Sequence, residues 1–210
     1  AQDLSPMQWR MLGRRGRHAS WTIVGDEAQS SWPHPRESAA ARKAALEGKP
    51  EHAFRLSTNY RNSAEIYDLA AKVAVIGIYD PDLADAVRRT GEDPQHLVVG
   101  APELTAQLRT SIDEILGRVE GTVAVVAPRA DLERLHGELA DLLEEHSGRL
   151  RLLDGLDTKG LEFDGVIVAE PDALTEESTA GWRTLYVVLT RATQLLTTVG
   201  TTDRWLSRIA

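Results

Sequence analysis

The sequence contains no cysteine, which excludes disulfide bonds and zinc sites made of thiolates. Its six histidines are scattered without the short spacings of a metal site. The longest apolar run, residues 73–79, is far too short to cross a bilayer, and the first ten residues lack the apolar region of a secretory signal. These absences argue against a membrane partner and favour a cytoplasmic location by default.

Two common nucleotide-binding patterns are also missing. A Gly-x-x-x-x-Gly-Lys-Ser/Thr phosphate loop does not occur, since the only Gly-Lys pair, Gly48-Lys49, is followed by proline and has no upstream glycine at the right spacing. No Gly-x-Gly-x-x-Gly follows a candidate strand, which weighs against a Rossmann-type enzyme. Any nucleotide chemistry must therefore depend on other residues.

The charge is acidic overall but unevenly spread. The net charge is −8, yet residues 1–61 hold 10 Lys/Arg against 6 Asp/Glu and carry +4, leaving −12 for the rest. Any contact with phosphates must therefore be local. The basic run at 14–17 is one candidate for such a contact, although a solvated loop is the simpler interpretation.

The 210 residues show strands and helices alternating along the chain, a pattern typical of an α/β fold. Strands are predicted at 21–26, 52–61, 122–127, 150–154, 165–170 and 196–201. Helices are predicted at about 63–75, 104–119, 131–143 and 181–196, and residues 77–102 read as an irregular connection. Asn62, with Glu65 three residues later, resembles a capping box at the start of the first of these helices. The continuous β-branched run at 122–127 indicates a parallel sheet buried on both faces by helices.

Polar side chains follow several of these strands. Ligands of open parallel sheets sit at the carboxyl ends of the strands, so these side chains are expected to converge on one rim. The residues are Asp26, Glu27, Gln29, Asn59, Tyr60, Arg61, Asp157, Thr158, Lys159 and Glu162. Each also has an ordinary structural interpretation: Arg61 could pair with Glu65, Gln29 could cap a loop, and Lys159-Gly160 could be a simple turn.

Arg191 lies in the middle of the apolar stretch 187–196. A guanidinium does not lose its proton and is rarely buried without a partner, so an anionic group is expected to face it. The residues alone leave open whether that group is a carboxylate or a phosphate.

The order of the motifs resembles the second half of a superfamily 1 helicase motor of the UvrD/Rep type. The start "AQDLSPMQWRML" resembles the end of motif II, whose two acidic residues would fall just before Ala1. The later matches are "TIVGDEAQSSW" to motif III, "LSTNYRNSAEI" to motif IV, "LDTKGLEFDGVIV" to motif V and "LYVVLTRATQLL" to motif VI. The resemblance implies a RecA-like (P-loop NTPase-type) fold. Residues 1–52 would be the remnant of a first RecA-like domain, and 53–210 the second motor domain.

Within that superfamily, the residues of motifs IV to VI look most like those of HelD-type proteins, which associate with RNA polymerase. Only about 90 residues separate Arg61 from Asp154, too few for the large subdomain that UvrD and Rep insert there. The resemblance implies a fragment of a longer motor that hydrolyses ATP with Mg²⁺ in a cleft shared with the missing first RecA-like domain. The Mg²⁺ ligands would not be in this chain, which alone should be inactive.

Residue roles follow from the same resemblance. Arg61 and Arg191 match arginine fingers, and Gln2 and Gln29 match glutamines that sense the γ-phosphate. For the nucleotide, Tyr60 resembles the tyrosine that stacks on adenine, while Glu162 and Gly160 belong to the part of motif V that meets ribose and nearby groups.

Contacts with nucleic acid are implied for three residues. Thr158 and Lys159 match positions where motif V approaches the strand, and Trp32 matches an aromatic of motif III that stacks on bases. The segment after Trp32 lacks the aromatic residues of UvrD, and packing of Trp32 between domains is an equal alternative. Single-stranded DNA or RNA polymerase is therefore the expected partner, and the acidic surface favours polymerase.

Two functions from different classes remain open. The chain is either the second motor domain of an ATP-dependent helicase or translocase, or a non-catalytic binding module that kept the fold. The presence of Arg61, Tyr60, Glu162 and Arg191 favours the motor.

Overall fold

The computed structural model describes residues 1–16, 18–26, 29–30 and 35–210. The chain divides into two compact units, Ala1–Arg55 and Leu56–Ala210, which we call unit 1 and unit 2. The sequence placed a boundary between residues 52 and 53. The assignment of the first 52 residues to a first RecA-like domain stays a prediction.

Unit 1 contains two packed helices, α1 (Pro6–Arg15) and α2 (Pro35–Ala45). Helix α1 starts with a capping box, in which Ser5 Oγ accepts the N–H of Gln8 at 3.3 Å and Gln8 Oε1 accepts the N–H of Ser5 at 2.7 Å. Arg14 and Arg15 of the basic run at 14–17 lie in the last turn of this helix. Residue 17 of the run falls outside the described residues.

The strand predicted at 21–26 is wrong. These residues are not in a strand, and Val24 is largely exposed. A strand needs a neighbour for its backbone hydrogen bonds, and the described part of unit 1 contains no strand that could pair with this segment.

Unit 2 contains seven strands in two parallel sheets. The larger sheet has the order β3-β7-β6-β4-β5, and the smaller pairs β1 with β2. The strands are β1 (Thr58–Ser63), β2 (Asp85–Arg88), β3 (Gln95–Val98), β4 (Val123–Val126), β5 (Leu150–Leu153), β6 (Phe163–Ala169) and β7 (Ala192–Gly200). The helices are α3 (Ala64–Gly77), α4 (Leu104–Arg118), α5 (Leu132–Glu138), α6 (Ala140–Glu145), α7 (Pro171–Glu176), α8 (Gly181–Leu189) and α9 (Arg204–Ile209).

Both faces of the larger sheet are covered, because successive side chains of a strand point to opposite faces and β6 buries both sets. Ile167 on one face belongs to a core cluster with residues of α4, α5 and α6. Val166 and Val168 on the other face are also fully buried. The predicted α/β fold, a parallel sheet with helices on both faces, is confirmed.

Helix α4 packs very closely on the sheet at Gly165. A Cβ at this position would lie 2.2 Å from Cγ2 of Ile115, so only glycine fits beneath the helix. Strand β4 lies inside the same sheet, between β5 and β6, and all four of its residues are buried.

Three local predictions are corrected. The helix predicted at 181–196 ends at Leu189, and β7 begins at Ala192, so Arg191 lies in the turn between them. Residues 77–102 are not simply irregular, since they contain β2 and β3. Helix α3 is capped by Ser63, whose Oγ accepts the N–H of Ile66, rather than by Asn62.

In the described ranges, no helix is both long and apolar enough to span a membrane.

Candidate functional site

Arg61 and Glu162 form an ion pair at one end of unit 2. Arg61 belongs to β1 and Glu162 immediately precedes β6. Nη2 of Arg61 lies 2.8 Å from Oε1 of Glu162, and the two side chains are 48% and 47% exposed. The pair is therefore open to solvent on one side, and either group can exchange its partner for a ligand. The sequence also allowed a pair between Arg61 and Glu65. Arg61 pairs with Glu162 instead, and Glu65 accepts hydrogen bonds from Thr90 and Gly91.

Arg191 is buried, with only 2% of its surface exposed. Its guanidinium donates from Nε to the carbonyl of Val187 at 3.0 Å, from Nη1 to the carbonyl of Leu161 at 3.2 Å, and from Nη2 to Thr190 Oγ1 at 3.4 Å. Its own carbonyl accepts the N–H of Phe163 at 3.0 Å. The partners of the guanidinium thus include main-chain carbonyls, which carry partial negative charge and satisfy a buried cation in part.

The segment 161–163 connects the two arginines. Leu161 binds Arg191 through its carbonyl, Glu162 binds Arg61 through its carboxylate, and Phe163 binds Arg191 through its N–H. Three segments that are far apart in sequence, around Arg61, Glu162 and Arg191, therefore meet at three consecutive residues. Of the polar residues expected to share one rim, Arg61 and Glu162 are in direct contact.

Tyr60 is adjacent to Arg61 on β1 and is 73% exposed. Arg61 is exposed as well, and the two residues lie where the register of β1 against β2 is irregular, between Asn59 and Ser63. The exposed ring offers a flat apolar surface beside a cation, which suits stacking on a planar ligand.

The loop after β5 is built around Asp154. Its Oδ1 accepts the N–H groups of Leu156 and Asp157, both at 2.8 Å, and its Oδ2 pairs with the guanidinium of Arg129. Burial acts to raise the pKa of Asp154, but these hydrogen bonds outweigh it and the pKa is lowered. The pair in turn raises the pKa of Arg129. Asp154 is therefore an anionic support for the loop.

The end of the same loop carries three predicted site residues. Thr158 is fully buried and its hydroxyl donates to the carbonyl of Gly155 at 2.8 Å, so its side chain supports the loop instead of extending toward a nucleic-acid strand. Lys159 is partly exposed. Gly160 is exposed with φ of +75°, a conformation that strains any residue with a Cβ. A glycine is thus needed at the turn that leads into Glu162.

Two asparagines organise this site, Asn59, which the sequence places on the expected rim without a specific role, and Asn62, which was expected only to cap a helix. Asn62 is 2% exposed and donates to the carbonyls of Thr190 at 3.0 Å and Ala192 at 2.6 Å, and Asn59 Nδ2 donates to Asn62 Oδ1 at 2.9 Å. The partners of Asn62 lie about 130 residues away along the chain. The sequence favoured Asn62 only as the cap of the helix that follows it, a role that Ser63 takes in the structure.

The remaining predicted residues belong to unit 1. Gln29 Nε2 donates to Asp26 Oδ2 at 2.8 Å, and the carbonyl of Gln2 accepts Ser30 Oγ at 3.0 Å. The side chain of Gln29 is thus engaged within its own segment, whereas Gln2 binds Ser30 through its backbone. Trp32 and Glu27 lie outside the described residues. In the part of the chain that the structure describes, no group of three or more His, Cys, Asp or Glu side chains could hold a metal ion.

Comparison with known proteins adds two findings. In fold, the chain resembles the C-terminal domain of a possible DNA helicase from Lactobacillus plantarum WCFS1, with a TM-score of 0.54 and 20% sequence identity over 72% of this chain and 94% of that chain. The mixed α/β architecture of this chain is thus similar to that of a helicase C-terminal domain. Residues 157–199 match the family model of the UvrD-like helicase C-terminal domain. This stretch includes Glu162 and Arg191 but not Arg61. No curated protein matches the chain.

Proposed function

We propose that this chain is the C-terminal motor domain of an ATP-dependent superfamily 1 helicase or translocase. In this proposal it supplies Arg61 and Arg191 to an ATP site shared with a first RecA-like domain of the same protein. The observation that carries the proposal is the meeting of both arginines at residues 161–163. The match of residues 157–199 to the UvrD-like helicase C-terminal domain supports it.

The residues at the site fit a nucleoside triphosphate. Two guanidiniums can neutralise phosphate oxygens, Tyr60 presents an exposed ring for the base, and Glu162 presents a carboxylate for a ribose hydroxyl. ATP with Mg²⁺ would supply the phosphoryl group that is transferred to water. By the same resemblance, the Mg²⁺ ligands and the phosphate loop would come from the first RecA-like domain.

Each arginine would have to exchange a partner during the cycle. Arg61 would leave the carboxylate of Glu162, and Arg191 would give up the carbonyl of Leu161, in favour of phosphate oxygens. Arginines delivered in this way stabilise the charge that develops on the transferred phosphoryl group, and their loss lowers turnover by about 10³–10⁵ in well-studied NTPases. By the same resemblance, Gln2 and Gln29 would sense the γ-phosphate.

The partner acted upon is single-stranded DNA or RNA polymerase. Lys159 in the loop after β5 and Trp32 would contact a strand, whereas Thr158 would act by shaping the loop. The alternative function is a non-catalytic or polymerase-binding module of the HelD type, which remodels RNA polymerase without unwinding DNA. The observation that favours a protein partner is the net charge of −12 on residues 62–210, which would repel a nucleic-acid backbone.

The test is the Arg191→Ala variant of the complete protein. ATP turnover is expected to fall by about a hundredfold or more, with little change in nucleotide affinity, because the contact is made mainly in the transition state. The Arg191→Lys variant keeps the charge but not the planar fork, and it should be nearly as impaired. Arg134→Ala, which removes a surface arginine paired with Asp131 and Glu138, serves as the control.

Four outcomes separate the possibilities. Unchanged turnover in Arg191→Ala would remove Arg191 from the mechanism. Stimulation of wild-type turnover by single-stranded DNA would favour a translocase, whereas turnover independent of DNA with release of RNA polymerase would favour the HelD-type alternative. No turnover of the wild-type protein with either partner would favour the non-catalytic module.

A further inference from the structure

Asn62 holds the backbone on both sides of Arg191. Its side-chain amide is buried and lies 3.0 Å from the carbonyl oxygen of Thr190 and 2.6 Å from that of Ala192. A carbonyl oxygen can only accept a hydrogen bond, so the atom of Asn62 that faces both carbonyls must be the amide nitrogen. The two N–H bonds of this nitrogen are thereby both used, one on each neighbour of Arg191.

The orientation of this amide is set by Asn59. Asn59 Nδ2 donates to Oδ1 of Asn62 at 2.9 Å, which directs the nitrogen of Asn62 toward Thr190 and Ala192. The oxygen of Asn59 accepts the N–H groups of Arg61 at 2.9 Å and of Asn62 at 3.2 Å. Asn59 therefore binds the backbone of Arg61 with one end and the side chain of Asn62 with the other.

Arg88 makes a second connection between the same two segments. Its Nη2 donates to the carbonyl of Arg61 at 2.8 Å and also to the carbonyl of Thr193. The backbone of Arg61 and the backbone around Arg191 are thus joined twice, by Asn59 with Asn62 and by Arg88. Neither connection uses the guanidinium of Arg61 or of Arg191, so both stay in place when those groups change partners.

We propose that Asn62 is a positioning residue that fixes the backbone of Arg191 relative to that of Arg61. The two guanidiniums would then approach the triphosphate as a pair with a constant separation. This inference rests on the function proposed above, because it assumes that both arginines contact ATP. Holding reacting groups in a fixed geometry is worth a large rate factor, and a displacement of about 1 Å can lower the rate about 10²-fold.

A purely structural role makes a different prediction from a positioning role. A buried amide that only satisfies two carbonyls would, when removed, lower stability and leave the turnover of the remaining folded protein unchanged. A positioning residue lowers kcat in the folded protein while the ground-state affinity for nucleotide persists. The experiment must therefore compare the loss of kcat with the loss of stability in the same variant.

The experiment compares Asn62→Ala with Thr175→Val in the complete protein. Thr175 is a matched control, because it is buried and its hydroxyl donates to the carbonyl of Asp172 in the same unit but away from the arginines. We expect kcat for ATP to fall about 10- to 100-fold in Asn62→Ala, with KM within about threefold. Thr175→Val should keep wild-type kcat at a temperature where all variants are folded. Arg88→Met, which removes the second and more exposed connection, should lower kcat by a smaller factor and stands in if Asn62→Ala does not fold.

A second readout does not depend on catalysis. The N–H of Phe163 donates to the carbonyl of Arg191, so its exchange with solvent deuterium reports whether the turn around Arg191 stays in place. Asn62→Ala should accelerate this exchange severalfold, and Thr175→Val should not. If exchange is unchanged and kcat is within twofold of wild type, the positioning role is refuted. Equal losses of kcat and stability in Asn62→Ala and Thr175→Val would also refute it.

The Arg191→Ala variant separates failure of this inference from failure of the proposed function. If Arg191→Ala is inactive while Asn62→Ala is fully active, the function stands and the positioning role is wrong. If Arg191→Ala retains full turnover, the finger role fails, and with it the catalytic part of this inference.

Discussion

The ion pair between Arg61 and Glu162 should contribute little to stability and much to turnover. The pair is about half exposed on both sides, and such pairs are worth about 0.2–1 kcal/mol in double-mutant cycles. For a unit of this size, 1 kcal/mol shifts the melting temperature by about 2–4 °C. If Arg61 contacts the triphosphate, a hundredfold loss of turnover corresponds to about 2.7 kcal/mol in the transition state. The catalytic effect should thus exceed the stability effect clearly.

The assay is a double-mutant cycle of Arg61→Ala, Glu162→Gln and both together. Urea unfolding gives the coupling free energy between the two side chains, and ATP turnover of the complete protein gives the catalytic effect of Arg61→Ala. Arg134→Ala removes another surface arginine whose side chain is 43% exposed, and it should match the small stability loss without losing turnover. A coupling above about 2 kcal/mol together with unchanged turnover would refute the reasoning, because the pair would then serve the fold.

Two further predictions concern unit 2. Gly165→Ala should lower the free energy of unfolding by about 1–3 kcal/mol in urea, because the added Cβ would lie 2.2 Å from Cγ2 of Ile115. Gly117→Ala is the control and should not lower it, because a Cβ at that position would have no atom within 4 Å. Equal stability of both variants would contradict the close packing of α4. Hydrogen bonds from backbone N–H groups, chiefly its own and that of Gly91, lower the pKa of Glu65 from 4.5 to about 2. Because the pKa of Glu65 is lowered in the folded state, its carboxylate contributes stability above pH 4.5 that is lost as the pH falls toward about 2. The free energies of unfolding of wild type and Glu65→Gln should therefore differ at neutral pH and converge at acidic pH. A difference that stays constant with pH would show that the carboxylate charge of Glu65 is not involved.

The central strands were predictable because they are buried on both faces. The run at 122–127 and the run at 165–170 became β4 and β6, the two strands that pair with each other in the larger sheet. The end of α8 was not predictable, since the apolar residues from 187 to 196 fit a helix and a strand equally well. In the structure the helix ends at Leu189 and β7 begins at Ala192, with Arg191 in the turn between them.

The candidate site was predictable where the residues themselves carry the chemistry. Arg61, Glu162 and Arg191 are recognisable from their motifs, and they meet at residues 161–163. Asn62 was missed because its partners are main-chain carbonyls, which have no residue type to recognise, at a great distance along the sequence. The sequence placed Thr158 near a nucleic-acid strand by its motif position, which does not give the direction of a side chain, and its hydroxyl donates to the carbonyl of Gly155.

The way residues 161–163 make their contacts limits how this segment can evolve. Leu161 and Phe163 reach Arg191 through backbone groups, and only Glu162 acts through its side chain. Position 161 can therefore accept different side chains as far as this contact is concerned, whereas a proline at 163 would remove the N–H that the carbonyl of Arg191 accepts. An insertion or deletion of one residue would shift every one of these contacts at once. The two backbone contacts with Arg191 thus tolerate changes in residue type better than changes in the length of the segment.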